Sequence, residues 1–323
     1  MRRHLIAALG LVASSTLACA QDWPTRPVTM IVPYAAGGPV DTVGRIMAQG
    51  LTEVLGQQVV VENVGGAGGM TGANRVAKAT PDGYTFLLGG TATMTTVPAL
   101  YGAKTPYNPL TDFEHVNQFA DSARLLVARK DFPASSLKEF VAYAKTNHDK
   151  MQYGSSGTGA GAHICSLLLD LAMGVKITHV PYRGSAPAMQ DLLAGRIDYI
   201  CEQISTAVPQ IKGGTVKPIA LMGLSRAAVL PDVPSAAEEG FDIDCASLSA
   251  FAFPKGTPEA IVRRLADATN KAVEKDIVRE RLAAVGVVIE PPERRTIDHW
   301  RKNLPREVER AVAVVKAGGL TAE

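Results

Sequence analysis

Short β-type runs alternate along this chain with longer amphipathic helical patterns, and the junctions between them are dense in glycine, serine and threonine. Val28-Thr29-Met30-Ile31-Val32 reads as a strand, followed by Gly37-Gly38 and a helix over about 40–55. Val59-Val60-Val61 repeats the arrangement, with Gly65, Gly66, Gly68 and Gly69 ahead of a helix near 71–79. Further strands are predicted at 84–88, 125–128, 151–153, 177–180, 197–201 and 219–222. Ser136 and Glu139 form a capping-box pair at the head of a helix over 137–145, and Thr257-Pro258 reads as an N-cap followed by an N1 proline. Alternating βα units imply mostly parallel sheets flanked by helices. A length of 323 residues suits two domains of roughly 150 each. With 46% hydrophobic and 20% charged residues, the chain can bury a sizeable core.

The first twenty residues read as an address. A basic Met1-Arg2-Arg3-His4 start, an apolar run from Leu5 to Ala13 and a small-residue site with Ala18 and Ala20 form the three parts of a secretory signal. The apolar run is far shorter than the roughly 20 residues that span a bilayer. Cleavage after Ala20 is expected. Lipoprotein anchoring through Cys19 is the alternative, disfavoured because Thr16 stands where such sites usually carry leucine. Lys plus Arg is 33 and Asp plus Glu is 31, and removing Arg2 and Arg3 leaves 31 of each. A neutral chain has no general attraction to a phosphate backbone or an anionic membrane, so nucleic-acid binding is disfavoured. Export puts Cys165, Cys201 and Cys245 in an oxidising compartment. Three is odd, so at least one is free or pairs outside the chain, and the three are read as buried small hydrophobes. No Cys/His grouping has metal spacing, and no cofactor is implied.

In such sheets ligands sit beyond the carboxyl ends of the strands. The loops Tyr34-Ala35-Ala36-Gly37-Gly38, Gly89-Gly90-Thr91-Ala92-Thr93 and Gly154-Ser155-Ser156-Gly157-Thr158-Gly159 stand at those positions. Glycine lets backbone N–H groups approach a ligand, and the helix start behind each loop favours negative charge by about 0.3–1 kcal/mol. Convergence of several such loops makes a carboxylate site without an arginine. Signals for catalysis mostly fail. Gly157-Thr158-Gly159-Ala160-Gly161-Ala162 fits a loose dinucleotide fingerprint, but the next strand ends His179-Val180-Pro181-Tyr182 without the required acid. No G-x-S-x-G elbow and no Walker loop occurs. His163 sits in a first helical turn without a partnered nucleophile, where local bonding competes with ligand contact. Asp41 reads as a cap for the first helix.

The loops and their flanks resemble one family. The segments are Trp23-Pro24-Thr25-Arg26-Pro27-Val28, Ile31-Val32-Pro33-Tyr34-Ala35-Ala36-Gly37-Gly38-Pro39-Val40-Asp41, Val61-Glu62-Asn63-Val64-Gly65-Gly66-Ala67-Gly68-Gly69 and Pro81-Asp82-Gly83-Tyr84-Thr85. Val180-Pro181-Tyr182-Arg183-Gly184-Ser185-Ala186-Pro187-Ala188 and Leu230-Pro231-Asp232-Val233-Pro234 complete the set. In this order they resemble the Bug family, the extracytoplasmic solute receptors of the tripartite tricarboxylate transporter type. The resemblance implies an α/β, two-lobe periplasmic binding protein of the type II, Venus-flytrap kind, each lobe a mostly parallel sheet flanked by helices. It implies a signal peptide at 1–20, lobe 1 at 21–123 with 248–323, and lobe 2 at 124–247. The chain would leave lobe 1 near 121–124 and return near 243–249.

The resemblance also implies a small carboxylate held in the inter-lobe cleft by backbone N–H groups, hydroxyls and two bridging waters. Carried onto this sequence, the lobe 1 contacts are Tyr34, Ala36, Gly37, Gly38, Thr91 and Thr93. The lobe 2 contacts are Ser155, Thr158, Gly159, His163, Glu202 and Gln203. Ala160 departs from a frequent Ser, and Glu202 from a frequent Asp. The implied protein is a monomer in the periplasm that delivers its carboxylate to the membrane subunits of a tripartite tricarboxylate transporter, or acts as an orphan without them. An exported enzyme on the same fold is the competing class, since fold does not fix function. Micromolar affinity, about −8 kcal/mol, is sufficient for a receptor that must release its cargo.

Overall fold

The computed structural model describes residues 23–317. The expected export signal, with Cys19, lies outside the described residues. Two sheets, each flanked by helices, organise the chain. The first part of the chain runs β1 (Val28–Val32), α1 (Pro39–Leu55), β2 (Val59–Asn63), α2 (Met70–Ala77), β3 (Thr85–Gly90), α3 (Val97–Tyr101) and β4 (Phe113–Ser122). Next come β5 (Arg124–Arg129), α4 (Leu137–Asn147), β6 (Gln152–Ser155), α5 (Gly161–Met173), β7 (Thr178–Pro181), α6 (Ser185–Leu193), β8 (Tyr199–Gln203), α7 (Ile204–Lys212) and β9 (Val216–Leu221). The last part is β10 (Ser247–Pro254), α8 (Glu259–Val273), α9 (Asp276–Ala284), β11 (Val287–Ile289) and α10 (Ile297–Ala317).

The first sheet has the order β11-β4-β10-β3-β1-β2 and the second β7-β6-β8-β5-β9. The α/β architecture is as expected, but the sheets are mixed rather than mostly parallel. Among the described residues, parallel pairing between strands is confined to β1 with β2 and β3, and to β6 with β7 and β8. The reason is the route of the chain. It passes from β4 to β5 through Ala123 and comes back into the first sheet at Ser247. A strand that receives the chain from the other sheet must enter from the facing end and run against its neighbours. β10 does so between β3 and β4, and β5 between β8 and β9.

Helix α1 shows how local sequence and packing agree. Pro39 sits at its first position, Gly56 closes it in the left-handed region at φ 70°, and Val43, Met47, Leu51 and Leu55 form one buried stripe. Each such side chain contributes about 1.5–3 kcal/mol of burial. The stripe packs on a core in which Phe251 meets Phe86 edge-on at 5.3 Å and Phe119 in a stack at 4.7 Å. The second sheet has its own aromatic core, with Phe132 stacked on Phe140 and Phe140 edge-on to Tyr199. Ser136 caps α4 as expected, accepting from the Glu139 N–H at 3.2 Å, while the Glu139 carboxylate reaches back to Ser135 N rather than to Ser136 N. At α8 the cap is Pro258 itself, because the Thr257 hydroxyl turns back to donate to the Pro254 carbonyl.

The cysteines require a correction. Cys165 on α5 and Cys245, two residues ahead of β10, form a disulfide, and Cys201 is free and buried. Their 80-residue separation hid the pair, because tertiary placement and not local spacing brings them together.

Candidate functional site

The strand-to-helix loops of both sheets face each other and touch. The Thr96 hydroxyl donates to the Gly159 carbonyl at 2.9 Å, joining the turn after β3 to the loop before α5. Gly68, in the left-handed region at φ 65°, lies so close to that loop that a Cβ there would stand 2.5 Å from the Thr158 carbonyl oxygen. Gln203, at the end of β8, donates from Nε2 to the Ser247 hydroxyl at 3.2 Å. Between these contacts lies a pocket of about 30 Å³, lined by Tyr34, Pro39, Thr91, Arg124, Ser156, Gly161, Ser185, Gln203 and Ser247 among others. A larger cavity of about 270 Å³ adjoins it, sharing Thr91, Arg124, Gly161 and Leu248, and bordered by the disulfide, Asp121 and the α10 residues Glu307 and Arg310.

Of the twelve residues expected to bind ligand, Tyr34, Thr91 and Gln203 line the pocket. The others stand around it with much of their bonding capacity committed to the loops themselves. Gly37 N–H donates to Asp41 Oδ2 at 2.9 Å, and the same carboxylate accepts from Arg45 and Asn63. Burial alone would raise the Asp41 pKa, but those bonds hold it below the ordinary value. Asp41 is thus a loop anchor inside the first turn and not the expected cap of α1, because Gly38 holds the cap position and the Asp41 carboxylate turns back to Gly37 N–H. Ala36 and Gly38 flank Gly37 in that loop, and the Gly38 carbonyl accepts from Thr42. Thr93 is fully buried, its hydroxyl accepting from Gly90 N–H and donating to Gly90 O. Thr91 Oγ1 accepts from Leu248 N–H at 3.1 Å.

On the other side, Ser155 Oγ accepts from Gly157 N–H and sits 2.6 Å from His179 Nε2. Gly159 N–H donates to His163 Nδ1 at 2.9 Å, the local bonding that competed with ligand contact in the sequence reading. Thr158 lies between them, against Gly68. The His163 ring stacks on His179 at 4.0 Å, and His179 stacks on Tyr153 at 4.9 Å. Burial pulls His163 down to about 3 and His179 to about 4, so both are neutral at pH 7 and brace the loop as uncharged rings. Glu202 is fully buried, with Oε1 accepting from Gln203 N–H at 2.7 Å. Burial raises its pKa, opposed by that bond and by the Arg124 charge.

Arg124 is the residue sequence reasoning missed. It is 7% exposed and opens β5 at the point where the chain passes between sheets. A signal existed: Arg124 is a lone cation ahead of the apolar run Leu125-Leu126-Val127-Ala128, and a charge placed there demands a partner. Tyr34 faces the same region, donating to the Gly68 carbonyl at 3.0 Å, and burial raises its phenol pKa. No group of acids, histidines and cysteines suited to a metal ion occurs among the described residues. The arrangement can hold a small anion and shield it from water, since three helix starts (α1, α5 and α6) contribute residues to one pocket.

Comparison with known proteins bears on this geometry. A family model described as the tripartite tricarboxylate transporter family receptor matches residues 43–320. The periplasmic binding protein BugD is similar in structure, with a TM-score of 0.90 and 36% identity over 93% of this chain and 100% of BugD. MatC from Rhodopseudomonas palustris, solved with bound malate, gives 0.87 and 38% over 91% of this chain and 100% of its own. A second R. palustris protein, solved with adipate, gives 0.87 and 32% over 93% and 99%.

Proposed function

The chain belongs to the tripartite tricarboxylate transporter receptor family, and from that membership we propose that it is a periplasmic receptor that closes on a small organic carboxylate. One observation carries the reading furthest: loops from the carboxyl ends of both sheets converge, with three helix N-termini, on a single pocket between the sheets. Malate in MatC and adipate in the second R. palustris protein support the carboxylate class. The lobes are 21–123 with 248–323, and 124–247, a division supported by the crossings at Ala123 and just ahead of Ser247. Ser247 itself pairs with Ser122, so the first sheet begins one residue earlier than that boundary.

The ligand-contacting set is Tyr34, Thr91 and Gln203 directly. Ala36, Gly37, Gly38, Thr93, Ser155, Thr158, Gly159, His163 and Glu202 shape and hold the surrounding loops. The receptor acts as a monomer without catalysis, exported by the signal at 1–20, and hands its cargo to the membrane subunits of a transporter. A thermal-shift screen tests the reading. A bound carboxylate at 100 times its dissociation constant stabilises by about 2.7 kcal/mol, whereas neutral sugars and nucleotides leave the melting temperature unchanged. A screen in which only a sugar or nucleotide scores overturns it, and turnover of a bound carboxylate favours the enzyme class instead.

A further inference from the structure

Strand β11 is the outer strand of the first sheet and lies beside the point where the chain leaves it. Val287, Val288 and Ile289 pair with Ser122, Asp121 and Ala120, the last residues before the crossing at Ala123. Glu290 N–H continues the ladder to the Phe119 carbonyl at 3.0 Å. The turn ahead of β11 seats on the other unit: a Cβ at Gly286 would stand 2.8 Å from Ile204 Cδ1 and 3.0 Å from Val229 Cγ2. Ile204 opens α7, and its N–H donates to the Ala123 carbonyl at 3.0 Å. β11 is thus a strap across the joint, held to one sheet by pairing and to the other unit by packing. It is short, is paired on one side, and leaves Val288 67% exposed, so apolar burial secures it weakly.

An acid pair sits on its fastening. Asp121 and Glu290 stand on one face, diagonally across the β4–β11 pairing. Asp121 Oδ1 and Glu290 Oε1 both accept from Gln118 Nε2, at 2.8 and 3.1 Å. Glu290 is buried, and among the described residues no Lys, Arg or His nitrogen comes within 4.0 Å of the Asp121 carboxylate. Arg294 Nη1 is 3.8 Å from Glu290 Oε2, and its exposed side chain leaves that attraction screened by water. The cavity of about 270 Å³ that Asp121 and Gln118 line adds Asp244 and Glu307 as acids and Arg124 and Arg310 as bases. Two carboxylates sharing one amide cannot both ionise without strong repulsion. Burial, a hydrogen bond to the Glu290 carboxyl and its charge raise Asp121 from 3.8 to about 7, with Gln118 opposing and Glu307 adding to the rise. With one proton between them the two carboxyls bind β11 to β4; with none they repel across the pairing, and Gly286 shifts with the strap. We propose that Asp121 and Glu290 form a proton-operated latch on this strap, fastened while they share a proton and released when both ionise, so that the joint between the two units loosens as pH rises. For closure on a carboxylate, which rests on the receptor reading above, the latch makes affinity fall through the same range. The sign follows from a folded group that holds its proton more tightly than the released one: its support is present at low pH and is lost as pH passes about 7.

Hydrogen–deuterium exchange on the unliganded protein at about pH 6 and about pH 8.5, corrected for the intrinsic exchange rate, reads the latch without any ligand. A difference of one pKa unit between the fastened and released strap is a factor of about ten. Wild type should lose about that factor of protection at Val287–Glu290 and at the Ile204 amide on going to the higher pH. Asp121→Asn and Glu290→Gln put an amide donor in place of the shared proton and should keep their protection at both. Asp170→Asn removes the other carboxyl raised to about 7, in the second unit, and should leave the wild-type loss intact. Calorimetry with malate and adipate, both largely ionised over this range, should show wild type binding about tenfold more weakly at the higher pH and Asp121→Asn binding equally at the two. Flat protection in wild type overturns the latch, as does a loss that survives in both amide variants or disappears in Asp170→Asn. Affinity independent of pH alongside a loosened strap overturns its hold on the joint. Failure of malate and adipate to bind at either pH counts against the carboxylate reading, and the exchange at Val287–Glu290 and Ile204 still decides the latch.

Discussion

Removing the Cys165–Cys245 bridge with the double substitution Cys165→Ala/Cys245→Ala releases a long constraint on the second sheet. The cross-link closes a loop of 80 residues that contains β7, α6, β8, α7 and β9. In the chain-entropy treatment, a loop of that length restricts the unfolded chain by about 15 cal/mol/K, or about 4.5 kcal/mol at 25 °C. Against a typical total of about 5–15 kcal/mol this is a large share. The choice of signal matters. Trp23 and Trp300, the two tryptophans of the chain, both belong to the cores of the first sheet. Their fluorescence follows the wrong half of the molecule, whereas far-UV circular dichroism follows both. Urea titration should therefore show a destabilisation of about 4 kcal/mol by dichroism and a smaller displacement by tryptophan emission. Cys201→Ala, which removes only a buried free thiol, should cost no more than about 1–2 kcal/mol. A double variant within 1 kcal/mol of wild type by dichroism refutes the loop-entropy reasoning.

Two further outcomes are expected. Gly68→Ala introduces a side chain at φ 65°, costing about 1–2 kcal/mol in any conformation, and meets the Thr158 carbonyl only when the loops close. Carboxylate affinity should fall at least tenfold and the liganded radius of gyration by small-angle scattering should stay near the unliganded value; unchanged affinity refutes it. Asp170 is buried, and burial raises its carboxyl from 3.8 to about 7. The folded chain thus keeps a proton that the unfolded chain has lost, and this group's contribution to stability declines as pH rises from about 4 to about 7, by about 1.4 kcal/mol per unit. Asp170→Asn should equal wild type near pH 4 and exceed it by a few kcal/mol at pH 8; a constant difference across that range counts against the assignment.

The first two βα units were legible because their strands open on apolar residues, glycine-rich loops follow them, and their helices bury one face. β4 was not, since Glu114, His115, Asn117, Gln118 and Asp121 interrupt its apolar pattern. The fold satisfies two of these from outside the strand: Asn117 donates to the Arg295 carbonyl, 178 residues away, and His115 Nε2 bonds the Pro109 carbonyl at 2.7 Å. No local window contains the partner of Asn117. The site divides in the same way. The glycine-rich loops announced themselves, but the internal use of Gly37 and Gly159 N–H groups by Asp41 and His163 needed the folded loops to be seen. Arg124 lies outside every glycine-rich segment, and only folding brings it to the pocket.

The placement of β10 in the middle of the first sheet has a consequence for how the chain can be assembled in time. β3 and β4 have no contact across the sheet except through this strand, which is made more than a hundred residues after both. While the ribosome is still producing the middle of the protein, the first half holds a parallel β1–β3 fragment with an open edge, the kind of surface that invites mispairing. The second sheet has all five of its strands once Leu221 has been added. Synthesis from one end therefore finishes the later unit before the earlier one, and the N-terminal strands must wait, unsealed, for a segment beginning at Ser247.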